Sequence, residues 1–230
     1  MNRYLTFLAI LVIALSSCRP NILSGEGEVV TNTQEVSSFT AVDISVPINA
    51  TINMQEGAKP SVQLTGHANV LKHIIAKVEN NTVTIYCDLD DTWTIDDDEE
   101  IGAQITLPLL TGLSLSGSPD AEIHGNIIGG NFKLDISGAS DVVIDNINVD
   151  NFTSVISGAG DIDVKAGKVG TATFKIKGAG DISAFPLQAN EVIADISGAG
   201  DGEITAVEKL TATIKGAGSI KYKGHPVVSK

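Results

Sequence analysis

The sequence predicts an all-β fold, a single-stranded parallel β-helix built from coils of about 20 residues. Three observations carry that prediction. A five-residue phrase recurs six times: Ser116-Gly-Ser-Pro-Asp120, Ser137-Gly-Ala-Ser-Asp141, Ser157-Gly-Ala-Gly-Asp161, Lys177-Gly-Ala-Gly-Asp181, Ser197-Gly-Ala-Gly-Asp201 and Lys215-Gly-Ala-Gly-Ser219. Its first glycines, Gly117, Gly138, Gly158, Gly178, Gly198 and Gly216, are spaced by 21, 20, 20, 20 and 18 residues. The residues flanking the phrase alternate apolar and polar, and the composition combines 23 glycines with 4% aromatics, which suits a thin repetitive core.

The alternation defines the strands. Phe132, Leu134 and Ile136 precede one turn, and Phe152, Ser154 and Ile156, then Ala172, Phe174 and Ile176, then Val192, Ala194 and Ile196 hold the same places in later repeats. After the turns come Val142/Ile144, Ile162/Val164, Ile182/Ala184 and Ile220/Tyr222, with Gly202/Ile204 the weakest member. A period of two gives a strand one face of which is buried. Two such strands per repeat make one coil, and a coil must stack on neighbours to bury its inward face. The turn glycines are read as supplying positive φ at a sharp corner. The column Asp120, Asp141, Asp161, Asp181 and Asp201 poses an electrostatic problem, since stacking sets like charges one strand spacing apart. Either backbone N–H groups neutralise each carboxylate, or a cation, with calcium the candidate cofactor, sits between them.

The regions before the repeats differ in character. Residues 1–17 read as a lipoprotein signal peptide: Arg3 gives the positive start, Tyr4 to Leu15 is apolar but too short for a span, and Leu15-Ser16-Ser17-Cys18 resembles a bacterial lipobox. Cys18 is then the lipid attachment site and the membrane the first partner. Residues 18–37 read as the lipidated cysteine and a flexible tether, 38–110 as an N-terminal β-rich part, 111–224 as the regular coils and 225–230 as a tail. Within 38–110, Val42, Ile44 and Val46 alternate, as do Ile48, Ala50, Ile52 and Met54, and Ser61–Thr65 follows as a strand. Asn69–Ala76 carries the best helical spacing, with Asn69 as its cap. Asn80-Asn81 turns the chain into strand Thr82–Cys87, which puts Cys87 on an inward face as a small hydrophobe. Ile101–Leu107 is a further strand, closed by Pro108.

Charge narrows the partners. Without residues 1–17 the chain has 14 basic against 28 acidic residues, and no arginine follows Arg19. Nucleic acid and polyanions favour arginine and concentrated positive charge, so they are not expected partners. Asp88 to Glu100 holds eight acids in thirteen positions, but without the spacing or central glycine of an EF-hand loop. It reads as a solvated loop. Trp93 within it is the only tryptophan and the one candidate ligand residue, able to stack on a sugar ring if exposed. His67, His73, His124 and His225 show no metal-ligand spacing, and Gly-Ala-Gly-Asp matches neither nonapeptide calcium repeats nor the dinucleotide fingerprint. No catalytic, cofactor-binding or metal residue is assigned.

Together, the exported start, Ser38-Phe-Thr-Ala-Val-Asp-Ile44, Val62-Gln-Leu-Thr-Gly66, Asn81-Thr-Val-Thr-Ile85 and the serial Ser-Gly-Ala-Gly-Asp turns resemble the bacterial head GIN domain family of autotransporter-adhesin-like proteins, common as exported lipoproteins of Bacteroidetes. The resemblance covers about residues 37–222. It implies a β-helical fold, an envelope location and an adhesin role, and no ligand residues carry over. Departures are Pro119 and Ser140 in the early turns, the shortened last coil and Ser219 in place of Asp.

The expected function is therefore that of a non-enzymatic, lipid-anchored envelope protein at the outer membrane, an adhesin or interaction scaffold with an unknown protein or glycan partner. The alternative is a carbohydrate-binding or polysaccharide-active β-helix. Open strand edges at the last coil point to homo-oligomers.

Overall fold

The computed structural model describes residues 21–34, 36–90, 93–96 and 101–229. Residues 1–17, read from the sequence as a signal peptide, and Cys18 lie outside the described residues. The chain forms a β-solenoid of about six turns with one very short helix. Every strand pair in the solenoid body is parallel, and most residues pair at the repeat period, with register shifts between Ile123 and Asn126, between Ala184 and Gln188 and between Ala189 and Glu191. Leu134 sits on Ser154, Ser154 on Phe174 and Phe174 on Ala194; Val142 sits on Ile162 and Ile162 on Ile182.

Each coil has three sides rather than two. One runs up to the glycine corner (residues 131–136 and equivalents), and a second leaves it (121–123). A third, 126–129, stacks on 146–149, then 167–169 and 187–189. This side contributes only one or two inward residues per coil, such as Ile127, Ile147, Val169 and Leu187, all buried. So short a run shows too little alternation to be seen in the sequence.

The core is a set of apolar columns parallel to the solenoid axis, with spacing set by interstrand hydrogen bonds. Ile85, Ile44, Leu115, Ile136, Ile156, Ile176 and Ile196 form one continuous column, each almost fully buried. Two columns over, the Phe132 and Phe152 rings stack at 5.7 Å, and Phe174, from the column between, meets Phe152 edge-on at 5.7 Å. The order of large and small reverses between those coils: Phe152 and Ser154 lie beneath Ala172 and Phe174. Ser154 and Ser140 are fully buried, and neither hydroxyl has a hydrogen-bond partner among the described residues.

The N-terminal coils are not stacked in chain order. Ala41–Ile44 pairs on one side with Thr82–Cys87 and on the other with Gly112–Gly117. Asn49–Met54 likewise lies between Gly102–Leu107 and the first repeat strand. The coil formed by 82–107 is thus outermost, and the earlier segment 41–54 is sandwiched inside it. Antiparallel strands then close this end: Ser61–His67 on Gly102–Leu107, Val29–Gln34 on Ser61–His67, and Ile74–Glu79 on Thr82–Cys87. The last hairpin turns at Asn80 and Asn81, both with positive φ (48° and 65°), as the paired asparagines predict.

Two local expectations are corrected. The tether contains strands: Asn21–Leu23 pairs with Trp93–Ile95, and Val29–Gln34 makes a six-residue antiparallel ladder. Main-chain pairing of this kind asks little of side chains. The helix is only Ala68–Leu71, with His67 at its N-cap position, and Ile74 onward is strand. Asn69 instead clasps the incoming chain, its Nδ2 donating to Ser24 O (2.9 Å) and its Oδ1 accepting from Glu26 N–H (2.8 Å).

Candidate functional site

The corners stack so closely that their chemistry is shared between coils. The N–H of Ala159 donates to Gly138 O, Ala179 to Gly158 O and Ala199 to Gly178 O, at 2.8–2.9 Å. A Cβ built on Gly158, Gly178 or Gly198 would lie 1.8–1.9 Å from the carbonyl oxygen of the coil before. None of these three has positive φ, so close backbone approach, and not backbone conformation, excludes a side chain there. Gly117 at the first corner does have φ +86°.

The aspartate column is a hydrogen-bonded ladder. Oδ1 of Asp120 accepts the N–H of Asp141 (2.8 Å), Asp141 that of Asp161 (3.1 Å), Asp161 that of Asp181 (2.8 Å) and Asp181 that of Asp201 (2.7 Å). Each carboxylate thus faces a backbone donor one coil on. The donor is a backbone N–H, as one of the two arrangements expected, but it comes from the neighbouring coil and not from the same turn. The ladder ends at Ser219, whose N–H (2.7 Å) and hydroxyl (2.8 Å) both donate to Asp201 Oδ1. Ser219 stands where the earlier corners carry Asp, so the series of carboxylates ends on a residue that donates twice to Asp201.

Those two bonds hold the Asp201 carboxyl below its ordinary pKa, the hydroxyl contributing most and Lys221 adding a smaller attraction. A depressed folded-state pKa contributes stability that is present above the unfolded value, about 3.9, and lost as pH falls through the folded value. Replacing Ser219 with alanine is therefore expected to raise the Asp201 pKa and move acid unfolding of the last coil to higher pH. Circular dichroism during acid titration reads this directly; an unchanged acid midpoint would show that the Ser219 hydroxyl has no part in capping.

Two shallow clefts run along the side that leaves the corner. One of about 330 Å³ is lined by Asn49, Thr51, Asp120, Glu122 and Asp141, and one of about 310 Å³ by Asp141, Asp161, Asp163, Asp181 and Ser183. Lys165 folds onto Asp163. At the upper end His124 lies between two carboxylates, Nδ1 3.1 Å from Asp145 and Nε2 3.4 Å from Glu122. Asp145 comes from the next coil, 21 residues on, so the repeat period that defines the fold could have paired them. Among the described residues, no group of three His, Cys, Asp or Glu side chains is arranged to hold a metal ion.

Trp93, the candidate ligand residue, stands on the short strand Trp93–Ile95 and is 42% exposed. It lines a cleft of about 250 Å³ together with Pro47, Cys87, Leu89 and Asp90. Cys87 packs on the core from a partly buried position and so contributes to the wall of this cleft. His73 Nδ1 lies 2.9 Å from Asp88 Oδ1. Of the acidic run, Asp91, Thr92 and residues 97–100 lie outside the described residues.

Among the described residues no helix is long and apolar enough to cross a membrane. These features define a class: a parallel β-helix with stacked Gly-Ala-Gly-Asp corners, one end closed by antiparallel strands, and extended outward faces. The chain belongs to the family described as "putative auto-transporter adhesin, head GIN domain", whose model matches residues 38–226. It is similar to a solved "putative adhesin" from Bacteroides fragilis, at 28% identity and TM-score 0.77 over 90% of this chain and 93% of that one. It also shares its fold with a "putative lipid binding protein" from Parabacteroides distasonis (23% identity, 91% and 95% covered, TM-score 0.70). A "putative adhesin" from Parabacteroides merdae gives 21% identity, 91% and 94% coverage and a TM-score of 0.69. No curated protein matches the chain.

Proposed function

We propose that the protein is a non-enzymatic adhesin or interaction scaffold of the cell envelope, exported and anchored in the outer membrane through a lipidated Cys18. The observation that carries this reading is the match of residues 38–226, the N-terminal β-rich part and the repeat coils together, to a family described as adhesins. The lipobox-like Leu15-Ser16-Ser17-Cys18 supports the anchor. The outward faces support a role in contact. Their polar side chains are fixed in register, Asn151 Nδ2 donating to Asn131 Oδ1 (2.9 Å) and Asn148 Nδ2 to Asn126 Oδ1 (2.8 Å). Such a face offers a partner a rigid, preorganised surface at low entropic cost.

Carbohydrate recognition is the second reading, favoured by an exposed tryptophan on the rim of a cleft. One experiment separates the two. Attachment of bacteria carrying the full chain is measured on immobilised glycans and on epithelial cell surfaces, alongside Cys18→Ser and Trp93→Ala strains. The scaffold reading expects attachment to cells that is lost with Cys18→Ser and kept with Trp93→Ala. Glycan binding that disappears with Trp93→Ala would replace it with the carbohydrate reading, and attachment indifferent to Cys18→Ser would remove the anchor.

A further inference from the structure

The chain is fastened to the fold almost as soon as Cys18 is passed. Asn21–Leu23 pairs in parallel with Trp93–Ile95, with Asn21 opposite Trp93 and Leu23 opposite Ile95. Leu23 packs on the core and Ile95 is buried. Leu23 O accepts the Asp96 N–H (3.0 Å), and the Ser24 hydroxyl donates to Asp96 Oδ2 (2.8 Å). Asn69 then holds the main chain of Ser24 and Glu26, and Val29–Gln34 lies along Ser61–His67.

Docking removes the slack of a tether. A chain free from Cys18 to residue 37 reaches up to about 70 Å, whereas from Cys18 to Asn21 the span is at most about 11 Å. Trp93 lies one further strand spacing away, about 4.8 Å. The surface at this point is apolar. Up to residue 108, the exposed large hydrophobic side chains among the described residues are Ile22 (61%), Val29 (60%) and Trp93 (42%), all on the entering strands or their partner. Alternation along the strand sets Ile22 on the side opposite Leu23 and the core. Tryptophan suits the level of lipid headgroups, being apolar in its body and polar at one edge.

Charge sets how the solenoid stands on such a surface. The cleft beneath Trp93 is lined by Ser45, Val46 and Pro47, just before Ile48, whose carbonyl accepts the Asp120 N–H (3.0 Å). The ribbon therefore stands at the head of the corner column. Laying the solenoid down along that column would press the exposed Asp120, Asp141, Asp161, Asp181 and Asp201 against the headgroups. Standing it on the end closed by antiparallel strands leaves them in water, where a carboxylate costs nothing to keep charged. The eight acids of Asp88 to Glu100, beside Trp93, favour a zwitterionic lipid surface over an anionic one.

We propose that Ile22 and Trp93 form a membrane-seating surface, on which the closed end of the solenoid rests against zwitterionic lipid with Trp93 at headgroup level and the last coil directed away. This seating rests on the Cys18 anchor proposed above and adds which face of the fold meets the lipid. Strand pairing runs unbroken from Gln104 through Thr51, Glu122, Val143, Asp163, Ser183 and Glu203 to Lys221, seven spacings or about 34 Å. Tyr222, next to Lys221 and 47% exposed, is therefore a reporter of the far end.

Trp93 is the only tryptophan, so its emission reads this surface alone. The protein is purified from the membranes of cells that produce it, with acylation of Cys18 read by mass. It is then reconstituted in phosphatidylcholine vesicles carrying bromine at the headgroup end of the acyl chains. Trp93 emission is expected to shift to the blue and to be quenched relative to unbrominated vesicles. In a Trp93→Phe, Tyr222→Trp variant the emission should be the same in both vesicles, and circular dichroism confirms that its strands remain. An acylated protein that floats with the vesicles while Trp93 stays unquenched overturns the seating and leaves the anchor standing; an emission change on adding glycans would then assign Trp93 to sugar. Equal quenching at Tyr222→Trp also overturns it, since the solenoid then lies flat. A protein without acyl chains on Cys18 that fails to float removes the anchor, and the seating with it.

Discussion

Gly178→Ala is expected to destabilise the protein by about 3–5 kcal/mol, at the upper end of what single substitutions cost. The added Cβ would lie 1.8 Å from Gly158 O and 2.8 Å from Gly158 C, both backbone atoms that cannot rotate away. Relief requires separating two coils at the corner. That would stretch the Ala179 N–H bond to Gly158 O (2.9 Å) and, three residues on, the Asp181 N–H bond to Asp161 (2.8 Å). A solenoid is stabilised by nearest-neighbour interfaces, so a weakened middle interface also divides it into two blocks. Denaturant unfolding should lose its single transition and show two. Gly57→Ala is the comparison: Gly57 has φ +72° and nothing within 4 Å of an added Cβ, so it meets conformational strain alone, about 1 kcal/mol. Equal effects at the two sites would mean that the stacked corners tolerate separation and that proximity is not why their glycines are there.

The corner shows how far sequence reasoning reached. The period located every glycine and aspartate and placed them in columns, because parallel stacking at a fixed repeat is a strictly periodic operation. It gave a different reason for the glycines, positive φ, because a single corner viewed alone hides the carbonyl of the coil beneath it. The aspartates were legible as capping residues, but their donor is not local. Asp161 accepts from Asp181, 20 residues away, and only stacking brings the two together. The same holds for His124 and Asp145, scattered in the sequence yet adjacent across one coil. Placement of 41–54 between 82–107 and the repeats was illegible for another reason. Ile44, Ile85 and Leu115 are interchangeable as column members, so alternation identifies them as inward without saying which neighbours which.

Phe152→Ala is the second large effect, expected to cost about 3–5 kcal/mol. The ring is fully buried, stacked on Phe132 and edge-on to Phe174, so its loss opens a cavity between two aromatic walls that backbone pairing keeps from collapsing. The reversal of large and small between adjacent coils supplies a sharper test than the loss itself. Phe152 and Ser154 face Ala172 and Phe174, so the interior holds about one ring per coil at these two positions. Moving the ring within its own coil, by adding Ser154→Phe to Phe152→Ala, reproduces the arrangement of the coil above. It restores the lost volume and removes a buried hydroxyl that has no partner among the described residues. The double variant should recover about half of the loss, as volume-conserving core swaps do. Ser154→Phe alone should instead destabilise by overpacking, roughly 1–3 kcal/mol. Opposite signs of one substitution in two backgrounds make the coupling measurable by denaturant midpoint. If Ser154→Phe is equally harmful in both, the two positions do not share a common volume, and each column is packed independently of its neighbour.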